Sequence, residues 1–61
     1  MDSREIIRRL RADGWVHMRT KGSHHQFRHP HKAGLVTVPH PRKDIPPGTL
    51  RSIMRQAGIE P

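Results

Sequence analysis

Lys21-Gly22-Ser23-His24-His25-Gln26-Phe27 reads as a turn passing into a strand, and the rest of the chain can be placed outward from it. Gly22 has no Cβ, so it suits a tight turn or the close approach of a ligand. Ser23 bonds readily to nearby backbone or to a phosphate. Beyond the turn, His25, Phe27 and His29 alternate with His24, Gln26 and Arg28. Successive side chains of a strand point to opposite faces. Phe27 is the only large apolar residue in the run, so its face should meet the core. His24, Gln26 and Arg28 then fall on the open face.

Before the turn, Val16, Met18 and Thr20 alternate with His17, Arg19 and Lys21, the pattern of a half-buried strand. The alternation sets His17, Arg19 and Lys21 on the open face, so Arg19 and Lys21 share a surface with His24. Further back, Ile6, Ile7 and Leu10 form an apolar stripe at helical spacing while Arg4, Arg8, Arg9 and Arg11 point elsewhere. Asp2 or Ser3 can cap this helix, and Glu5 is placed to complete a capping box with Asp2. Gly14 is the expected stop, which predicts a helix over Ser3 to Asp13.

After the second strand, Pro30 to Gly34 is a loop by composition. Leu35-Val36-Thr37-Val38 is a β-branched third strand ended by Pro39, and His40 to Asp44 is a polar connection. Pro46-Pro47 opens a second helix, where Leu50, Ile53, Met54 and Ala57 keep helical spacing up to Gly58. The order is helix, three strands, helix. Two amphipathic helices on one face of a three-stranded antiparallel sheet make a two-layer α+β domain, taken as a single domain over residues 1–61. Phe27, Val36, Val38, Leu50, Ile53 and Trp15 read as core.

Sixty-one residues form a small domain with limited capacity to bury a core. The absence of cysteine removes disulfides and thiolate zinc sites, and favours a reducing, cytoplasmic setting. No apolar run approaches the length of a membrane span. A net charge of +7 attracts polyanions, nucleic acid above all. With one Trp and one Phe, stacking on an aromatic platform gives way to recognition of the phosphate backbone.

The blocks Asp13-Gly14-Trp15, Lys21 through Phe27, Val36-Thr37-Val38-Pro39-His40 and Gly48-Thr49-Leu50 resemble the HicA (YcfA-like) toxins, with the likeness running from Ser3 to Gly58. The resemblance implies a fold like the double-stranded RNA-binding domain, in α-β-β-β-α order. It implies an mRNA interferase, an endoribonuclease that cleaves transcripts and arrests growth. It also implies catalysis by the histidine after Gly-Ser, here His24. The expected partners are RNA and a HicB-type antitoxin that occludes this histidine, with DNA contacted only through the antitoxin.

Histidine can accept and return a proton near neutral pH, which suits attack of an RNA 2′-hydroxyl on the adjacent phosphate. Lys21 and Arg19 are candidates for stabilising the transition-state phosphate, with Gly22 and Ser23 supporting the site. Arg28, Lys32, Arg42 and Lys43 are candidates for tracking the RNA backbone. His25 shares the Phe27 face and reads as a hydrogen-bonded structural histidine, and His40 as one bonded to a loop carbonyl. His24 and His25 point to opposite faces and His29 and His31 flank a proline, so no metal site and no cofactor are expected. The competing readings are a non-catalytic RNA-binding module on the same face, and an interaction protein whose charge serves an acidic partner.

Overall fold

The computed structural model describes residues 1–59. Helix α1 spans Ser3–Asp13, strands β1, β2 and β3 span Val16–Lys21, His24–Arg28 and Val36–Pro39, and helix α2 spans Pro47–Ala57. The sheet order is β1-β2-β3, antiparallel throughout, the meander expected of short connections. Both helices pack on β3, and Ile6 and Leu10 of α1 meet Phe27, Val36, Val38, Ile53, Met54 and Ala57 in one core. Leu50 is half-buried against that core, and Trp15 seals its end by donating from Nε1 to the Ala57 carbonyl at 3.3 Å.

Asp2 caps α1 by accepting the Arg4 N–H at 2.8 Å. The other half of a capping box does not form, because the Glu5 carboxylate pairs with Arg8 and Arg9 at 2.8 and 3.5 Å. Gly14 ends α1 with φ 107°, and a Cβ there would stand 2.8 Å from Nε2 of His29. That nitrogen donates to the Asp13 carbonyl at 2.7 Å, while Nδ1 of His29 accepts from the His31 and Lys32 N–H groups. His29 therefore leaves the strand pattern and joins the loop after β2 to the end of α1.

Two buried residues carry structure that the sequence pattern does not announce. Ile45, in the connection before α2, is 1% exposed and joins the core. Ser3 is fully buried at the start of α1. Its Oγ accepts the Arg42 N–H at 2.9 Å and lies 2.6 Å from Nδ1 of His40. Ser3 Oγ and His40 Nδ1 are hydrogen-bond partners, with the direction of the bond set by the His40 tautomer. His40 is thus a structural histidine, but its side-chain partner is a buried hydroxyl rather than a loop carbonyl. Its own N–H binds the Ser23 carbonyl at 2.8 Å, tying the β1–β2 turn to the end of β3.

Candidate nucleic-acid cleavage site

Register decides which side chains share a face. Lys21 pairs with His24 and His24 with Pro39, while Arg19 pairs with Gln26 and Gln26 with Thr37. On the other face His17 lies opposite Phe27 and Thr20 opposite His25. The open face therefore carries His24, Lys21, Arg19, Gln26 and Thr37 as one contiguous set, with Arg28 opposite Val16 at its far end.

The first half of β1 departs from simple alternation. The register shifts between His17 and Arg19, a bulge that sets Met18 and Arg19 together against Gln26. One extra residue inverts the faces before it. His17, expected on the open face, sits half-buried on the Phe27 side with its ring 5.5 Å from the Phe27 ring. Val16 and Met18, expected inward, are 55% and 57% exposed. Arg19 and Lys21 follow the bulge and keep the predicted face.

His24 is exposed at the first position of β2, immediately after the turn. Gly22 has φ 61° and, among the described residues, no non-glycine residue has positive φ, the sign pattern of a type II′ hairpin turn. Nothing lies within 4 Å of where a Cβ on Gly22 would stand, so the backbone beside His24 faces open space. Arg19 donates from Nε to Oε1 of Gln26 at 2.6 Å. This bond fixes the guanidinium stem and leaves its outer N–H groups for an anion. The lysine across the strand pair adds a second cation beside the imidazole.

The predicted RNA-backbone cations divide. Arg28 lies on the open face. Arg42 and Lys43 are exposed in the connection that leaves β3 at the His24 end. Lys32 does not belong with them. Its ammonium donates to Asp13 at 2.6 Å and to the Ala57 and Gly58 carbonyls at 3.1 and 3.3 Å, clamping the ends of both helices to the β2–β3 loop. That bond also holds the Asp13 carboxyl below its usual range. Gln26 was expected on the open face but given no role there, and Thr37 is an open-face member not singled out from sequence. The inward placement of Val36 and Val38 was the signal available for Thr37.

Beneath the sheet, His17 Nε2 lies 2.8 Å from Thr20 Oγ1, which lies 3.3 Å from His25 Nδ1. The His25 ring packs edge-on against His40, with centroids 4.8 Å apart. Burial, then the neighbouring His40 and His17, push the His25 imidazole below its ordinary range. Between that lowered value and about 6.5, the unfolded chain binds more protons than the folded one. Stability therefore falls as pH drops through this window. The melting temperature should decline from pH 7 to pH 5, and decline less in His25→Gln; equal slopes in the two proteins would remove His25 as the cause. Asp13, whose ordinary value is 3.8, contributes only in more acid solution, as its lowered carboxyl takes up a proton.

Among the described residues, no three His, Asp or Glu side chains converge on a metal-sized site. No helix among them is long and apolar enough to cross a membrane.

The chain is a small α-β-β-β-α domain that sets an exposed histidine beside cations on a bare sheet face. The family model described as "HicA toxin of bacterial toxin-antitoxin" matches residues 3–59. This chain belongs to the HicA toxin family. A solved structure titled "HicA3 and HicB3 toxin-antitoxin complex" is similar at 38% identity and a TM-score of 0.85, covering 100% of this chain and 98% of that one. No curated protein matches the sequence.

Proposed function

We propose that this chain is the toxin of a type II toxin–antitoxin system and acts as a metal-independent endoribonuclease on mRNA in the cytoplasm. The observation that carries the reading is His24. It is an exposed imidazole at the hairpin turn, opposite Lys21, with Arg19 anchored by Gln26 on the same face. In the proposed step the RNA 2′-oxygen attacks the adjacent phosphorus and the bond to the 5′-oxygen breaks. The 2′-hydroxyl loses a proton and the departing 5′-oxygen gains one, with His24 performing proton transfer. Lys21 and Arg19 offset the charge that builds on the phosphate oxygens. Arg28, Arg42 and Lys43 hold the flanking backbone without reading sequence.

The HicA3 protein was solved with HicB3. That likeness supports a HicB-type antitoxin as the partner of this chain; in the proposed reading the antitoxin covers His24, and any contact with DNA runs through it.

The test is a long RNA incubated with the purified protein in chelator, with the ends of the products identified. The expected products carry 2′,3′-cyclic phosphate and 5′-hydroxyl ends, and an all-deoxy strand of the same sequence stays intact. Ends bearing 5′-phosphate would mean that water rather than the 2′-hydroxyl attacks, and cutting only after a divalent cation is added would mean that the reaction depends on metal.

A further inference from the structure

The helical layer carries a second feature, on the opposite side of the sheet from His24. A groove of about 480 Å³ runs between α1 and α2. Half-buried Leu50 and buried Met54 form its floor, and Arg9, Arg51 and Arg55 line its rim. No carboxylate lines it among the described residues. Arg9 shares Glu5 at 3.5 Å, whereas Arg51 and Arg55 form no ion pair among the described residues. All three arginines are exposed.

We propose that this groove holds an acidic, amphipathic segment of the antitoxin, separate from the part that covers His24. The inference rests on the reading of the chain as a toxin held by an antitoxin. Three guanidiniums around one opening call for carboxylates or phosphates. The floor discriminates between them. A peptide with apolar side chains at helical spacing buries them on Leu50 and Met54 and aims its carboxylates at the rim, the helix-in-groove mode. A nucleic-acid backbone has nothing apolar to place there. Because the sheet separates the groove from His24, a partner body resting on the open face reaches the groove only by a segment passing around the domain. The two contacts then divide the work, with the open face supplying inhibition and the groove adding affinity.

The experiment compares wild type with Arg51→Glu/Arg55→Glu, using the HicB-type antitoxin purified from the same operon and a cleavable RNA. Both substitutions sit on exposed helix positions, and circular dichroism melting confirms folding. Antitoxin affinity should weaken by about 30- to 100-fold. RNA cleavage by the free toxin should stay within about twofold, because neither arginine shares the face of His24. Arg51→Gln/Arg55→Gln should lose less, since it removes attraction without adding repulsion. Unchanged antitoxin affinity in the charge-reversed variant would overturn the proposal. So would a loss of RNA affinity with antitoxin binding intact, which would make the groove an RNA site. If wild type itself ignores the antitoxin, the underlying reading fails and this proposal falls with it.

Discussion

His24→Ala should lower RNA cleavage by at least about 100-fold, the lower end of what a positioned proton-transfer group contributes. Melting temperature and RNA affinity should stay near the wild-type values. The split follows from where the imidazole stands. It is exposed, and among the described residues its side chain makes no hydrogen bond and no ion pair, so removing it leaves no cavity and no orphaned partner. Affinity survives because Arg19, Lys21 and Arg28 remain on the same face to neutralise phosphates. The measurement is single-turnover cleavage beside a binding titration. Loss of folding in the variant would make His24 structural. Retained cleavage would move the chemistry elsewhere on the face.

How far this site could be read from sequence depends on where alternation holds. It holds along β2, so the opposed roles of His24 and Phe27 followed from a period of two. It holds in β1 only after Met18, which is why Arg19 and Lys21 were placed correctly and His17 was not. A bulge leaves no residue signature in Val16-His17-Met18-Arg19, because no glycine or proline marks it. The helices and their ends were legible because Asp2, Gly14, Pro47 and Gly58 each do what their backbone chemistry favours.

Long-range polar pairs were not legible. Ser3 meets His40 across 37 residues, and Lys32 meets Asp13 across 19. Nothing local distinguishes a lysine that clamps two helix ends from one that faces RNA. The same limit hid the groove, whose arginines come from two helices and become a set only when these pack.

Phe27→Ala should have the opposite signature to His24→Ala, three residues along the same strand. Phe27 is fully buried and is the only phenylalanine in the chain, at the centre of a core otherwise built from aliphatic side chains, Met54 and Trp15. Truncating a buried phenylalanine to alanine costs about 3–5 kcal/mol, part transfer and part cavity. A domain of this size has roughly 3–5 kcal/mol in total. The variant should therefore be largely unfolded at 25 °C, with loss of cooperative melting by circular dichroism. Its inactivity would come from the missing fold and not from missing chemistry. Phe27→Leu keeps most of the apolar volume and should fold with a lowered melting temperature, while cutting RNA at a rate near wild type wherever it is folded. A folded Phe27→Leu that cannot cleave would show that the ring does more than fill the core. It would tie the inner face of β2 to the positioning of His24 on the outer one.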